Sequence, residues 1–413
     1  MSESSKLPIN TQWLIVTVKE PVLFQQTTDE TWLLNPNRRY IINANRLGAL
    51  ESLIETVSEL DNAALLRRLT AKADLCGARI LVERNRERGV GDLLFLTGPL
   101  AYLNHLAGGD ISIDVMAYAD RGVVLAHSPL ISNQCVKCGP LEYDHLRMYN
   151  YHWLINTVTE QDSEGDQLNV YDALYRQLGC EPAEIDPKWK RPSAVLSADD
   201  FKNLDRLYHT IWTATNLDLR RTGYFVVAPF ANATIRSLNY GIWLNIIQAV
   251  AQYKPVVVVG NSMWRLPSMD MDAGEFNALL SKLGRGIINA IDSTTLRVLM
   301  ALISRSNAVV CLDSGPLYIA QALNTPAISL WGSIAPHTRI GYDKNYMDLA
   351  VWKPDACKFA PCFAYLTFPK TKCPYGELQT CCSVLESITV NDVLEKLSKI
   401  EEKSKLTSIL NLK

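Results

Sequence analysis

The sequence predicts an α/β protein with two parallel-sheet units that face a common cleft, preceded by a small N-terminal accessory domain. Strand-like apolar runs alternate with turns and helical patterns from about residue 76, and again from about residue 223. Hydrophobic residues make up 48% of the 413-residue chain and charged residues 20%, which is enough to fill a real core. At about 150 residues per domain, this length fits two to three domains.

The composition disfavours several classes of protein. The net charge of −2 lacks the positive excess typical of proteins that bind nucleic acid through its phosphates. No apolar run approaches the ~20 residues that a membrane helix needs. The first residues also lack the basic and apolar pattern of a signal peptide. We therefore expect a cytoplasmic protein without a membrane span.

Residues 1–75 are predicted to form the accessory domain. Residues 12–18 and 38–44 are strand-like, with a polar, turn-rich stretch between them. Residues 47–69 have the apolar spacing of a helix. Since no motif here carries chemistry, the expected roles are structural, homo-oligomer formation among them.

The first parallel-sheet unit is predicted over residues 76–222. Its first strand, 78–84, runs into the cleft loop Gly89-Val90-Gly91-Asp92, and leucines at helical spacing predict a helix over 93–106. Gly89 and Gly91 allow a close approach of the backbone. Asp92 has two interpretations, a helix N-cap and a catalytic base that faces the cleft. The other elements predicted in this unit are a strand over 111–119 and helices over 170–179 and 197–214.

The second unit is predicted over residues 223–413 and contains a cysteine-rich finger at 357–382. Asp292-Ser293 is the expected N-cap of one helix, and Thr389 or Asn391 caps the last one. Strands are predicted over 224–230, 255–260, 286–291, 307–312 and 327–331, and helices over 240–253, 317–323 and from 389 onward. Two such units in one chain suggest a ligand cleft at the carboxyl ends of their strands.

The segment Asp313-Ser314-Gly315-Pro316 is the sharpest candidate for ligand binding. It places a carboxylate and a hydroxyl at the end of a buried strand, and Gly315 lets the backbone approach a ligand. Pro316 suits the first turn of a helix, whose free N–H groups form an anion site for phosphate. A plain N-cap with a tight turn explains the same residues, and the sequence alone leaves both interpretations open.

Three stretches together resemble glycosyltransferase family 9, the ADP-heptose heptosyltransferases, which have the two-domain GT-B fold. They are residues 80–103, 228–243 and 299–338, and the last is the most specific because it combines Asp-Ser-Gly-Pro with a later Trp-Gly-Ser. The resemblance covers about residues 78–400. The extra N-terminal residues are similar to those of the bacterial autotransporter heptosyltransferases, which add an N-terminal domain and a cysteine-bound iron and modify protein hydroxyls.

The resemblance implies an inverting transfer from a nucleotide-diphosphate sugar such as ADP-heptose, without a catalytic metal. Asp92 matches the family's general base, which takes the proton of the acceptor hydroxyl as that oxygen attacks the anomeric carbon. Arg236 matches a residue that contacts the donor phosphates. The donor-binding residues implied in this way are Thr234, Arg236, Asp313, Ser314, Gly315, Pro316, Tyr318 and Gly332. The implied acceptor is a hydroxyl of a glycan such as lipopolysaccharide, or of a protein.

Tyr318 departs from the family, which usually has His at this position. Tyrosine donates a hydrogen bond but carries no charge at neutral pH, so the identity of the donor sugar and of its nucleotide stays open.

Two further patterns have plain structural interpretations. Asp270-Met271-Asp272 has the DxD pattern of a different transferase fold and is interpreted as a helix cap. The basic run Arg84, Arg86 and Arg88 is typical of a solvated face or, in a cleft, of a site for an anionic ligand.

The ten cysteines are unevenly placed, with half of them in the finger. Thiolates favour Fe or Zn in tetrahedral geometry, and a bound metal would hold this proline-rich loop in shape. A structural Fe or Zn site is therefore predicted, with free thiols as the alternative. The candidate ligands are Cys357, Cys362, Cys373, Cys381 and Cys382, of which only one of the last two need ligate. Cys135 and Cys138 form an isolated CxxC, for which a chance or loop feature is favoured over half of a metal site or a redox pair. Cys76, Cys180 and Cys311 are expected to be buried thiols.

Three other functions are compatible with the same fold. A phage-type enzyme that glycosylates modified DNA bases is disfavoured by the near-neutral charge. A non-catalytic relative that only binds a nucleotide sugar is disfavoured by the intact Asp92 and Asp313. An epimerase or synthase would hydrolyse the nucleotide sugar without an acceptor.

Overall fold

The computed structural model describes residues 13–27, 30–43, 52–59, 69–70, 73–84, 89–136, 143–155, 168–231, 236–261, 273–284, 286–362 and 382–410. Over these ranges the chain has the predicted α/β architecture. A small antiparallel unit is followed by a four-stranded parallel sheet and then by a six-stranded parallel sheet.

The N-terminal unit consists of a three-stranded antiparallel sheet and a separate hairpin. Its strands are β1 Trp13–Val18, β2 Val22–Thr27, β3 Glu30–Leu34, β4 Tyr40–Asn43 and β5 Ile54–Glu59. The sheet has the order β4-β1-β5, and the hairpin pairs β2 with β3. Val16, Val18 and Phe24 are among the buried side chains of its own small core.

The helix predicted over residues 47–69 is wrong at β5. Val16 pairs with Val57, and Ile15 with Ser58, in antiparallel register. The apolar spacing of this short stretch does not by itself distinguish a helix from a strand, and the pairing with β1 decides because it satisfies backbone groups on both strands. Residues 47–51 and 60–68 lie outside the described residues. The hairpin β2–β3 also occupies the stretch in which only turns were predicted.

The first parallel sheet has the strands β6 Ala78–Arg84, β7 Ile111–Ala117, β8 Asn133–Val136 and β9 Tyr151–Ile155. Their order is β8-β7-β6-β9, and helix α1, Val90–Leu106, follows β6. One face of the sheet packs on α1 through residues such as Val82 and Leu96. On the opposite face, Leu81 and Met116 pack with Ile15 of β1. The N-terminal unit thus helps to cover a face that a parallel sheet must bury.

The second parallel sheet contains all five strands predicted for it and one more. They are β10 Phe225–Ala228, β11 Val256–Val258, β12 Ile287–Asn289, β13 Ala308–Leu312 and β14 Ala327–Leu330, with β15 Ala350–Val351 added at the edge. Their order is β12-β11-β10-β13-β14-β15. Every residue of β10, β11 and β13 is buried, which explains why these strands read as continuous apolar runs.

The remaining longer helices confirm the predicted ones and differ mainly at their ends. They are α2 Val170–Gln177, α3 Ala198–Thr215, α4 Tyr240–Val250, α5 Ala273–Leu280, α6 Leu296–Arg305, α7 Gly315–Ala322 and α8 Val390–Leu410. Single helical turns span Ala119–Gly122, Tyr143–Leu146, Leu219–Thr222, His337–Ile340, Lys344–Met347 and Ser383–Glu386. Short 3₁₀ turns span Val123–Leu125, Pro182–Glu184, Pro187–Trp189 and Pro354–Ala356.

The cap predicted at Asp292-Ser293 is wrong, whereas the cap at Thr389 is confirmed. The Thr295 hydroxyl accepts the hydrogen bond from the Val298 N–H and caps α6, because Asp292 has a left-handed φ of 58° that places it in a turn before the helix. At α8, the Thr389 hydroxyl accepts from the Asp392 N–H at 3.4 Å, and the Asp392 carboxylate accepts from the Thr389 N–H at 2.7 Å. This reciprocal pair is a capping box.

The two parallel-sheet units share one continuous core. Helix α1 of the first unit packs against α7 of the second, and α3 packs against α6. The domain boundaries at residues 75 and 222 stay predictions. Within the described part of the chain, no helix is long and apolar enough to cross a membrane.

Candidate active site

The candidate site lies where the strand order of the second sheet reverses. Strand β10 has β11 on one side and β13 on the other, so the connections from β10 and β13 leave in opposite directions. Such a reversal opens a crevice at the carboxyl ends of the strands, where α/β proteins bind ligands. Arg236 follows β10 and Asp313 follows β13, so the topology brings these two predicted residues together.

Arg236 and Asp313 form a partly buried ion pair. The Arg236 Nη1 lies 3.2 Å from the backbone oxygen of Asp313 and 3.4 Å from its Oδ2. The Asp313 side chain is 5% exposed and that of Arg236 is 19% exposed. A guanidinium held in this way presents its remaining N–H donors in a fixed orientation.

Tyr318 completes the arrangement around Asp313. Its hydroxyl donates a hydrogen bond to the Asp313 Oδ1. Burial of the phenol, followed by the negative charge of Asp313, raises the pKa of Tyr318 well above its usual value. The phenol therefore stays neutral and acts as a hydrogen-bond donor. Its contact with a donor substrate stays a prediction.

Helix α7 begins at Gly315, two residues before its predicted start. Ser314 occupies the N-cap position, but its side chain makes no cap hydrogen bond and its hydroxyl donates instead to the Leu312 oxygen at 3.4 Å. Pro316 lies in the first turn, as predicted. A Cβ atom at Gly315 would lie 3.4 Å from the Cβ of Val90. The starts of α7 and α1 are therefore in direct contact.

Asp92 lies in the first turn of α1 and is not the N-cap, which corrects one of its two interpretations. The N-cap position belongs to Gly89, which has no side chain to cap the helix. A Cβ atom at Gly91 would approach the Tyr318 Cδ2 to 2.4 Å, so only glycine allows this approach of the cleft loop. Asp92 thus belongs to the turn of α1 whose neighbouring residues Val90 and Gly91 lie against Gly315 and Tyr318 of α7.

A small open pocket adjoins the ion pair. It is lined by Arg236, Asp313, Leu330, Trp331, Gly332, Ser333, Ile334 and Leu385. Gly332 therefore lines the pocket, and its contact with a donor stays a prediction. The Ser333 hydroxyl is buried and has no hydrogen-bond partner among the described residues, which suits a polar ligand.

Sequence reasoning missed two residues beside the site. Phe95 of α1 packs edge-on against the Tyr318 ring, with centroids 4.5 Å apart. Arg339 is 8% exposed, and its guanidinium lies 5.7 Å from the centroid of Phe95. The available signal was the position of Arg339, which closely follows the Trp-Gly-Ser turn at the end of β14. Thr234 was also predicted at the site and lies outside the described residues, as do Asp270 and Asp272.

The cysteine-rich finger is described only at its two ends. Cys357 and Cys362 are partly buried against the core that contains Cys382. The pKa of Cys382 is raised to about 11, mainly by burial; two backbone N–H groups lower it, and the nearby Cys362 and Cys357 raise it. Three thiols of suitable donor chemistry are thus close together, but the described residues contain no group of three ligands placed to hold a metal. Cys373 and Cys381 lie outside those residues.

The other cysteines are free thiols where the structure describes them. Cys311 is buried in β13 as expected, whereas Cys76 is exposed, which corrects that prediction. Cys76 lies in the turn before β6 and hydrogen-bonds to the Asp110 carboxylate at 3.4 Å. Cys135 lies on β8, and its CxxC partner Cys138 is outside the described residues.

Comparison with known proteins supports the class of protein that this geometry suggests. Residues 265–364 match the sequence model of glycosyltransferase family 9 (heptosyltransferase). That segment carries Asp313, Tyr318, Gly332 and the first two finger cysteines, whereas Asp92 and Arg236 lie before it. No curated protein sequence matches this chain significantly.

Solved structures of the same class share the fold. A family 9 glycosyltransferase from Veillonella parvula has a TM-score of 0.56 at 15% identity, covering 80% of this chain and 99% of that one. The ADP-heptose lipopolysaccharide heptosyltransferase II of E. coli has a TM-score of 0.55 at 16% identity, covering 79% and 99%. TibC from enterotoxigenic E. coli, described as an iron-containing dodecameric glycosyltransferase, has a TM-score of 0.53 at 13% identity, covering 96% and 93%.

The fold and the crevice thus define a GT-B glycosyltransferase, and the predicted enzyme class is confirmed. Residues 265–364 carry a glycosyltransferase family 9 (heptosyltransferase) domain, and the chain shares its fold with the heptosyltransferases. Its alignment with TibC extends over a larger share of this chain than the alignment with the E. coli lipopolysaccharide enzyme, and the difference is about the size of the N-terminal unit.

Proposed function

We propose that this chain is an inverting glycosyltransferase that moves heptose from ADP-heptose to an acceptor hydroxyl. The observation that carries the proposal is the contact between the start of α1, which carries Asp92, and the start of α7, which follows Asp313 of the Arg236–Asp313 pair. TibC has also been solved in complex with ADP-D-β-D-heptose, with a TM-score of 0.53 at 15% identity over 95% of this chain and 92% of that one. This similarity supports the choice of donor.

On the donor side, the diphosphate would lie in the pocket beside Arg236. The Arg236 guanidinium and the free N–H groups of the first turn of α7 would stabilise the negative charge that develops on the leaving nucleoside diphosphate. The Ser333 hydroxyl and the backbone of Gly332 line the same pocket. Asp313 would keep Arg236 and Tyr318 in place through the hydrogen bonds already present.

On the acceptor side, Asp92 would act as the general base. Its carboxylate takes the proton from the acceptor hydroxyl while that oxygen forms the new bond to the anomeric carbon. The bond between the anomeric carbon and the diphosphate oxygen breaks, and the nucleoside diphosphate leaves with that electron pair. A single displacement of this kind inverts the anomeric centre. The acceptor is proposed to be a glycan such as lipopolysaccharide, or a protein.

The decisive experiment offers the full-length protein a panel of nucleotide sugars with lipopolysaccharide and protein acceptors, and detects transfer by mass spectrometry. A heptose increment on one acceptor class is expected with ADP-heptose. Asp92→Asn should lower kcat about 10²- to 10⁴-fold while donor binding survives. Asp120→Asn, at a first-turn aspartate that is exposed, is the matched control and should behave like the wild type. Full activity of Asp92→Asn would overturn the role of Asp92.

We also propose a structural Fe or Zn on the finger cysteines. The support is the thiol chemistry of Cys357, Cys362 and Cys382, their closeness, and the iron in TibC. Elemental analysis of the purified protein should find about one metal ion per chain. Cys357→Ser should lower this content, and Cys76→Ser, at an exposed thiol away from the finger, should not. If the folded wild type contains no metal, these cysteines are free thiols and the proposed metal site is wrong.

The chain is also proposed to self-associate. The hairpin exposes Leu23 and Leu33, which pair directly across β2 and β3 and are 73% and 54% exposed. An exposed apolar pair of this kind suits contact with a second copy, and TibC is described as dodecameric.

A cytoplasmic location is proposed because every cysteine that the structure describes is a free thiol.

A further inference from the structure

The first end of the cysteine-rich finger holds the turn that lines the pocket. We define residues 352–362 as the leading arm and residues 331–334 as the pocket turn. The Trp352 indole N–H donates to the Gly332 oxygen at 3.1 Å, and the Cys362 N–H donates to the Ser333 oxygen at 2.9 Å. Two consecutive carbonyls of the pocket turn are therefore fixed by the leading arm.

The second end of the finger reaches the same pocket. Cys382 is followed by the short helix that carries Leu385, and Leu385 lines the pocket. Lys353 of the leading arm ties the two ends together. Its Nζ lies 2.6 Å from the Asp392 Oδ2 and 3.2 Å from the Ser387 oxygen. Both ends of the finger therefore contact the walls of the pocket.

We infer that the leading arm is a positioning element of the nucleotide pocket, and that the chemical state of Cys357 and Cys362 is coupled to the binding of a nucleoside diphosphate. The inference rests on the proposed function, because it takes the pocket as the diphosphate site. The orientation of the Gly332 and Ser333 peptides sets where their groups meet a ligand. A change at the thiols that shifts the leading arm therefore changes affinity, and by linkage a bound nucleotide changes the reactivity of the thiols.

The first test measures ADP affinity by titration calorimetry. Trp352→Phe keeps an aromatic ring and removes the N–H that holds Gly332, so the Kd for ADP should rise about five-fold. The KM for the donor should rise with it while kcat changes little, since Trp352 touches neither reacting centre. Trp212→Phe is the matched control, because Trp212 is 49% exposed on α3, and it should leave the Kd unchanged.

The second test measures whether bound ADP changes the reactivity of the two thiols. The rates at which iodoacetamide modifies Cys357 and Cys362 are measured by mass spectrometry with and without saturating ADP. ADP should change both rates several-fold in the wild type and much less in Trp352→Phe. The exposed Cys76 serves as the internal control, and its rate should not respond to ADP.

The outcomes separate the inference from the proposed function. If the wild type binds none of ADP, UDP and GDP, the proposed function fails. If the wild type binds ADP with the same Kd as Trp352→Phe, and ADP leaves the rates at Cys357 and Cys362 unchanged, the pocket stands and the coupling is overturned. Equal thermal midpoints for wild type and Trp352→Phe show that a loss of affinity is not a loss of folding.

Discussion

At the scale of single residues, the site depends on one buried carboxylate with two donors. Asp313 accepts from Arg236 on one oxygen and from Tyr318 on the other. A carboxylate buried in this way needs such partners, since an unpaired buried charge is costly. The neutral Tyr318 adds no charge to the group formed by Asp313, Arg236 and the nearby Arg339. A histidine at this position would add a proton that responds to pH near neutrality.

Arg236 is expected to matter mainly for the donor. Arg236→Gln removes the charge that meets the diphosphate and should raise the Kd of ADP about 10- to 100-fold, because hydrogen bonds to charged groups contribute about 1.5–3 kcal/mol. Titration calorimetry measures this directly. Arg221→Gln, at an exposed arginine in the turn before β10, is the control and should bind ADP as the wild type does. An unchanged Kd in Arg236→Gln would argue against a phosphate contact.

At the scale of elements, the contact between α1 and α7 aligns the two halves of the site. Both helices begin at a glycine-containing loop at the carboxyl end of a strand, and the loops abut at Gly91, Tyr318 and Gly315. Phe95, one turn further along α1, packs on the other part of the Tyr318 ring. The position of Asp92 relative to Asp313 is therefore set by side-chain packing between two helices that belong to different sheets.

Gly91→Ala should disturb this alignment. The new Cβ would lie 2.4 Å from the Tyr318 Cδ2, so either α1 or the phenol must shift. Overpacking of this kind costs about 1–3 kcal/mol, and we expect a lower thermal midpoint together with a large loss of transfer activity. Gly286→Ala is the matched control, since a Cβ there meets nothing within 4 Å. A fully active and equally stable Gly91→Ala would show that the contact does not position Asp92.

At the scale of the whole molecule, Arg297 joins segments from both sides of the fold. Its guanidinium pairs with Asp200 at the start of α3 and donates to the Val195 oxygen at 2.9 Å and the Val123 oxygen at 3.3 Å. Val123 belongs to the first parallel-sheet unit and Arg297 to the second. Burial alone would raise the pKa of Asp200, but the hydrogen bonds from Arg297 and Ser197 outweigh it and lower this pKa to about 2.

The Asp200 pair should therefore contribute stability that depends on pH. Because the folded pKa lies below the usual 3.8, the contribution is complete above about pH 4 and is lost as the pH falls through about 2. It amounts to about 2 kcal/mol. The difference in free energy of unfolding between wild type and Asp200→Asn should shrink between pH 5 and pH 2. Asp205→Asn, at an exposed aspartate on the same helix, should show no such change.

The strands of the second sheet could be predicted because their residues are buried on both faces. Such strands form continuous apolar runs that are visible in the sequence. The N-terminal unit could not be predicted equally well. At residues 54–59 the apolar spacing is compatible with two periods, and the hairpin at 22–34 exposes Leu23 and Leu33, so polar and apolar residues do not alternate cleanly along it. Pairing with the distant strand β1 decides the first case, and pairing of β2 with the adjacent β3 decides the second.

At the site, too, some features follow from the sequence and others only from tertiary contacts. The sequence by itself determined the residue types at the carboxyl ends of β6, β10 and β13, the glycines that permit close approach, and the cluster of thiols in the finger. Only the tertiary structure decided that Gly89, and not Asp92, occupies the N-cap position of α1. It also decided that Phe95 and Arg339 lie beside the site and that the finger is hydrogen-bonded to the pocket turn. Local patterns fix which groups stand at a strand end, whereas packing between sheets and helices fixes which of those groups meet.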